Sequence, residues 1–459
     1  MDVALRFLGA ARHVTGTKHL IEFDRRRILL DCGMVQGPRR ISNEANANLG
    51  IDARSVDAVV LSHAHIDHSG SLPRLVRLGF RGAIHLTDGT GDLAAALLRD
   101  SASIQAQDAT HLRKRGIEWE PPYDDADVSS TLKQFARHAY HEWFDVLPGV
   151  RCQFLDAGHI LGSAIVVLEL DAGSRVIRLA FTGDHGRKGM PILRDPERIP
   201  DLDYLITEST YGDRLHEDRE SMNEALAKVV HEEVQDGGRI LIPAFSVGRT
   251  QNVLYTLGNL IDAGRIPRMP IWIDSPLSSV ATKITAAHRN LFDKEAKAVL
   301  DSGRDPFFFS GVRFVEDREE SKALNAVRGG VIIAASGMCE AGRILHHLKV
   351  SLPRREDCVL TVGFMAEGTL GRKLVDGFEE VNVMGQAYRV NCRIRSIQGL
   401  SAHADWRELC DALQHLAPKA KRVFVVHGEE PQALRFVERL KALGFRDVIA
   451  PEHGQREVL

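Results

Sequence analysis

The stretch His63-Ala64-His65-Ile66-Asp67-His68 constrains this chain more than any other feature, because three imidazoles and a carboxylate fall within six residues. An apolar run, Asp57-Ala58-Val59-Val60-Leu61, precedes it and reads as a buried strand; Ser69-Gly70-Ser71-Leu72-Pro73-Arg74-Leu75 follows and reads as a loop entering a helix. The polar cluster therefore sits on a strand-to-helix turn, where side chains converge on one point in space. Neutral imidazole nitrogen and carboxylate oxygen both bind zinc or a similar divalent ion without thiolate, and this spacing can hold two such ions.

Two ions need more ligands than one turn supplies. His159 in Asp156-Ala157-Gly158-His159, Asp184 in Thr182-Gly183-Asp184 and His427 in Val425-Val426-His427-Gly428 each follow an apolar strand and stand beside glycine, where backbone approaches closely. Singly, each suits a structural role as well as a ligand's; with the first cluster they form a coherent set.

The chain opens with short strands joined by tight turns, expected at 3–8, 19–23 and 28–30, the last two across the hairpin Asp24-Arg25-Arg26-Arg27. At Ser221 the rhythm changes. Ser221-Met222-Asn223-Glu224 reads as a capping box, Leu226, Val229, Val230 and Val234 keep helical spacing, and Gly237-Gly238 closes the helix. Strand segments at 239–243, 270–273, 330–335 and 359–364 then alternate with helices expected from about Arg249, around Ala281, from Gly342 and near Gly371, which predicts a parallel sheet covered by helices. Asp184 lies before this region and His427 after it, so the region reads as an insertion that leaves a first domain near Tyr211 and returns near Ile397. The stretch 116–130, with Pro121-Pro122 and clustered aspartates, reads as a loop or arm.

A chain of 459 residues, 44% hydrophobic, is comfortable as two domains. A formal net charge of −3 and a pI near 6.7 require any nucleic-acid groove to be a local basic feature. Arg25-Arg26-Arg27 and Arg113-Lys114-Arg115 suit such a groove, or equally a solvated hairpin tip and helix face. Six cysteines without CxxC spacing argue against a disulfide framework or a thiolate site. The N-terminus lacks a signal-peptide pattern and no apolar stretch is long enough to span a membrane, so the expected location is cytoplasmic.

Asp31 in Leu29-Leu30-Asp31-Cys32-Gly33 and the histidine cluster resemble the first two motifs of the metallo-β-lactamase superfamily, with His159 and Asp184 on its third and fourth. Glu208 in Thr207-Glu208-Ser209-Thr210-Tyr211-Gly212, His403 in Ser401-Ala402-His403-Ala404-Asp405, and His427 resemble motifs A, B and C of its β-CASP branch of nucleic-acid hydrolases. A histidine at motif C is similar to the RNA-processing members, whereas Artemis-like DNA-repair members carry an aliphatic residue there. The resemblance extends through Pro243-Ala244-Phe245-Ser246-Val247-Gly248-Arg249, Asp274-Ser275-Pro276-Leu277, Ser336-Gly337-Met338 and Ala366-Glu367-Gly368-Thr369-Leu370-Gly371-Arg372.

What the resemblance implies is an α/β fold: a metallo-β-lactamase αββα sandwich built from 1–210 and 397–459, an inserted β-CASP domain over 211–396, and an active site in the cleft between them. It implies two zinc ions, with manganese the alternative metal: one on His63, His65 and His159, the other on Asp67, His68 and His427, with Asp184 bridging. Asp31 would orient a ligand or the attacking water, His403 would protonate the leaving oxygen, and Glu208 would keep His403 protonated. The implied activity is zinc-dependent RNA phosphodiester hydrolysis by a dizinc-bound hydroxide, endonucleolytic or from the 5′ end, leaving 5′-phosphate and 3′-hydroxyl ends. Single-stranded RNA is the expected partner, with no membrane; a homo-oligomer is compatible with the sequence but not readable from it. Ser246, Gly248, Arg249, Ser336, Gly337, Arg343 and Arg372 are candidates for holding RNA phosphates, though the same residues also suit helix caps and ion pairs. A DNA nuclease of the same fold and a small-molecule ester or thioester metallohydrolase are the competing readings.

Overall fold

The computed structural model describes residues 3–37, 39–216, 219–235, 237–363, 365–397, 399 and 401–459. Phe364, at the end of an expected strand, and Leu400, beside the His403 motif, lie outside them. The chain divides into two compact units, Met1–Lys188 with Asp195–Leu215 and His403–Leu459, and Gly189–Arg194 with His216–Ala402.

The first unit begins with β1 (Val3–Gly9), β2 (Lys18–Phe23), β3 (Arg26–Leu30), β4 (Ala58–Val60), β5 (Ala83–Thr87) and β6 (Phe135–His138), which lie side by side in that order. β1 to β3 are antiparallel hairpins, whereas β3 to β6 are parallel and need crossovers, supplied by helices such as Leu72–Arg77 and Asp88–Lys114. A second sheet takes β7 (Trp143–Leu147), β8 (Val150–Asp156), β9 (Ala164–Asp171), β10 (Val176–Phe181) and β11 (Tyr204–Thr207).

The second unit holds β12 (Ile240–Pro243), β13 (Ile271–Asp274), β14 (Val312–Phe314), β15 (Val331–Ala334), β16 (Cys358–Val362), the hairpin β17 (Glu380–Val383) and β18 (Gln386–Arg389), and β19 (Arg393–Ile397). Its main sheet has the order β14-β13-β15-β12-β16-β19, with every pairing parallel. β12, β13, β15 and β16 are buried along their whole length, as expected where helices cover both faces of a parallel sheet.

The chain then returns to the first unit. β20 (Arg422–Val425) and β21 (Val448–Ile449) extend the second sheet beside β11, and β22 (Arg456–Val458) joins the first beside β1. Phe7, Ile21 and Ile28 from one sheet pack against Phe154, Val166, Phe181 and Phe424 from the other in a shared core. On the far side of the second sheet, Leu205 and Val423 meet Leu409, Leu413, Phe436 and Leu440 of the helices Trp406–Leu413 and Glu430–Ala442. With helices also outside the first sheet, this is an αββα sandwich.

Two local expectations need correction. The helix assigned to begin at Ser221 runs Arg219–Gln235, so Ser221 and Glu224 lie within it and not at its start. Within 116–130, Asp125–Leu132 is a helix, because the Asp124 carboxylate accepts the N–H groups of Ala126 and Asp127 while Asp127 accepts the N–H of Asp124. The cysteines are buried and free, and among the described residues no helix is long and apolar enough to cross a membrane.

Candidate metal centre

Strand direction gathers the polar residues at one edge of the sandwich. β10, β11 and β20 are parallel neighbours, paired Phe181 to Ile206 and Thr207 to Val425, so the residues just beyond them, Asp184, Glu208 and His427, emerge together. β8 points the same way as β10 because both are antiparallel to β9, which brings out His159. In the first sheet β3 and β4 are parallel, delivering Asp31 and the His63–His68 turn to its edge. Asp31 and His427 hold left-handed backbone, with φ of 57° and 49°, a cost that non-glycine residues sustain only where surrounding contacts enforce it.

The side chains form two adjoining clusters. His65 Nδ1 stands 3.1 Å from His63 Nε2 and 3.2 Å from His159 Nε2, and Asp184 Oδ2 lies 3.3 Å from His63 Nε2 and 3.4 Å from His159 Nε2. In the second, His68 Nε2 is 3.0 Å from His427 Nε2 and 3.2 Å from Asp184 Oδ1, and Asp67 Oδ2 is 3.5 Å from His427 Nε2. Ligands on a tetrahedral zinc with bonds of about 2.0–2.1 Å are separated by roughly 3.3 Å, which both clusters approach. Asp184 spans them with its two oxygens.

The donor chemistry fits a divalent ion. Burial, reinforced by His68, pushes the His63 imidazole down to about 3, and burial pushes His65 down to about 4, so both rings are neutral at ordinary pH, the form that binds metal. His159 is likewise held well below the usual histidine range, by burial first and then by His403. Asp184 Oδ1 is buried without a hydrogen bond of normal geometry, and burial alone would raise its carboxyl; the surrounding imidazoles of His427, His68 and His63 outweigh that and lower it. A buried carboxylate beside the neutral rings of His63, His65 and His159 suits a cation, and this is a metal-binding site.

Asp31 supports the cluster from behind. Its Oδ2 accepts from His68 Nδ1 at 2.6 Å and from the Ser62 hydroxyl at 2.7 Å, and its Oδ1 accepts the Ser62 N–H at 2.7 Å. That fixes the His68 tautomer and points Nε2 forward. Ser62 Oγ also lies 3.1 Å from His63 Nδ1, and Thr210 Oγ1 lies 3.0 Å from His427 Nδ1. Both residues sat inside motifs visible in the sequence, but nothing in a sequence reveals which ring nitrogen a neighbouring hydroxyl reaches.

Glu208 is fully buried and accepts the His185 N–H at 2.7 Å and the His403 ring nitrogen Nδ1 at 3.1 Å. The other His403 nitrogen, Nε2, lies 3.8 Å from Asp184 Oδ2. Burial lowers the His403 pKa, but the Glu208 and Asp184 carboxylates outweigh it and raise it to about 9.

The phosphate candidates all fall in the second unit. Gly248, with φ of 76°, precedes the helix Arg249–Asp262, and Ser246 Oγ lies 3.3 Å from Ser275 Oγ. Ser336 Oγ accepts the N–H groups of Glu340 at 3.1 Å and Ala341 at 3.2 Å. The arginines are engaged within the unit: Arg249 donates to the Val362 carbonyl, Arg343 to Asp274 at 2.6 Å and to the carbonyls of Val315 and Glu316, and Arg372 to Asp376 at 2.8 Å.

Three family models match in series: the metallo-beta-lactamase superfamily over residues 18–131, the Beta-Casp domain over 250–374 and the Zn-dependent metallo-hydrolase RNA specificity domain over 387–451. Ribonuclease TTHA0252 of Thermus thermophilus is 36% identical over 97% of this chain and 98% of its own length. Transcription termination factor FttA of Methanocaldococcus jannaschii is 31% identical over 98% of this chain and 70% of its own, and that of Thermococcus kodakarensis 33% over 93% and 67%. A solved structure of a protein of unknown function from Enterococcus faecalis V583 shares the fold, with a TM-score of 0.55 at 13% identity, each chain covered in full.

Proposed function

The chain belongs to the β-CASP branch of the metallo-β-lactamase superfamily and is a metal-dependent nuclease of that branch; from that premise we propose that it is a zinc-dependent ribonuclease, cutting single-stranded RNA to leave 5′-phosphate and 3′-hydroxyl ends. The observation that carries this reading is the pair of clusters sharing Asp184, each with ligand separations suited to one tetrahedral ion. His63, His65 and His159 would hold one zinc, Asp67, His68 and His427 the other, and Asp184 would bridge. Bound there, the ions supply Lewis acidity to the phosphoryl oxygens and acidify water to near neutrality.

The remaining chemistry belongs to the chain. Asp31 locks His68 in the ligating tautomer. Glu208, bonded to Nδ1–H, keeps the His403 ring in its doubly protonated form, and Nε2, on the side towards Asp184, donates its own proton to the departing 3′ oxygen, leaving a neutral imidazole still bonded to Glu208. His427 supports RNA over DNA as substrate through the motif-C resemblance, as does the ribonuclease relative. The arginine contacts weigh against Arg343 and Arg372 as phosphate holders, because each guanidinium is already paired with a carboxylate.

Matched RNA and DNA strands labelled at either end, incubated with wild type and His65→Ala, test this reading. RNA cleavage that leaves 5′-phosphates and is lost in the variant is expected. Preference for the DNA strand, or 2′,3′-cyclic phosphate products, would overturn it.

A further inference from the structure

We propose that Phe245 is a stacking platform for one base of the RNA, a proposal that rests on the ribonuclease reading above. Phe245 lies in the loop between β12 and the helix Arg249–Asp262, at the carboxyl edge of an all-parallel sheet. The loops after β13, β15, β12 and β16 leave that edge from four adjacent strands. From β12 the chain turns to one side, to β13, whereas from β15 it turns to the other, to β16. Open parallel sheets bind their ligands outside the carboxyl ends of the strands, where such a reversal occurs.

The loops are tied together around the ring. A Cβ added at Gly337, in the loop after β15, would lie 2.9 Å from Phe245 Cδ2 and 3.0 Å from Cε2, so the ring rests directly on glycine backbone. Ser246 Oγ lies 3.3 Å from Ser275 Oγ in the loop after β13, and the Gly371 N–H reaches the Met338 carbonyl at 3.1 Å. While Ala244 and Val247 on either side are buried, Phe245 is 47% exposed.

The surroundings select the occupant. Ser246, Ser336 and Glu340 are at least partly exposed in these loops, so among the described residues the exposed ring stands with polar groups and not in the broad apolar patch that a protein partner needs. An exposed π-face on loops that also carry hydrogen-bonding groups matches a nucleobase, which stacks through its face and bonds through its edge. Any base fits, so the platform would add affinity without sequence preference.

The test is steady-state cleavage of a short single-stranded RNA by the zinc-loaded wild type, Phe245→Ala, Phe245→Leu and Phe245→Trp, alongside a series of the same RNA with one abasic nucleotide at each position. Loss of one base stack raises KM about tenfold in Phe245→Ala, and kcat stays within about twofold because the lost binding is uniform. Trp restores KM and Leu does not. With the wild type, the abasic nucleotide raises KM by a similar factor at one position, and there the alanine substitution adds nothing. An unchanged KM in Phe245→Ala, rescue by Leu equal to that by Trp, or the absence of any such position would overturn the proposal. A wild type that cleaves no RNA would overturn the ribonuclease reading and this inference with it, an outcome distinct from cleavage that ignores Phe245.

Discussion

Asp31 accepts three hydrogen bonds and reaches the ligand clusters directly through His68 and indirectly through Ser62, whose hydroxyl lies 3.1 Å from His63 Nδ1. Replacing it with Asn keeps its shape, but an amide nitrogen at the Oδ2 position faces both the Ser62 hydroxyl and His68 Nδ1, so the imidazole loses its acceptor, and at the Oδ1 position it faces the Ser62 N–H instead. Zinc affinity in Asp31→Asn is expected to fall about 10- to 100-fold, measured by competition with a chelator of known affinity; wild-type affinity would refute the supporting role. Glu208→Gln should behave differently. It removes the charge that holds the proton on His403, so kcat falls on the order of 100-fold while bound zinc is unchanged, and metal loss in this variant would make Glu208 a ligand instead. At this scale the sequence was informative about residue types and poor about contacts. The seven proposed ligands could be picked out because each follows an apolar strand, whereas Ser62 and Thr210 gain their importance from hydrogen-bond distances that only the fold sets, Ser62 to Asp31 and Thr210 to His427. The pairing of Arg343 with Asp274, nearly seventy residues earlier, was equally hidden.

Among the elements, β13 shows how a strand end can organise a unit. It terminates in Asp274, fully buried, which accepts from Arg343, His347 and Ser321 at 2.6 Å each. Burial alone would raise the Asp274 carboxyl, but those hydrogen bonds, His347 first, hold it below its ordinary 3.8. A carboxyl depressed in the folded state contributes stability above its unfolded pKa and loses it as pH falls through the lower, folded value. Asp274→Asn should therefore cost about 3 kcal/mol at neutral pH, and the gap in melting temperature from wild type should narrow below pH 3.8. A gap independent of pH would show that charge is not what the site uses. Parallel strands such as β12 and β15 were legible as unbroken apolar runs. The helix Asp125–Leu132 is hidden in the sequence because Pro121-Pro122 just before it and the clustered aspartates read as a loop, although the Asp124-to-Asp127 spacing that caps it is present.

For the molecule as a whole, the order of residues along the chain carried the architecture. Ligands on both sides of a βα region imply an insertion; the first unit is assembled from segments on both sides of the second. Less legible was Gly189–Arg194, which groups with the second unit through the Leu193–Phe292 bridge and buried Ile192, a pairing of residues a hundred positions apart. Since the proposed ligands follow β4 in the first sheet and β8, β10 and β20 in the second, bound metal would cross-link both sheets of the sandwich. Chelation should lower its melting temperature, and zinc at about 1,000 times its dissociation constant should restore about 4 kcal/mol. The most direct measurement of the central claim is zinc content per chain against RNA cleavage as the chelated protein is reloaded. Cleavage that appears as loading reaches two zinc ions per chain is the predicted result. Full cleavage by metal-free protein, or saturation at one ion with the second cluster empty, would contradict it.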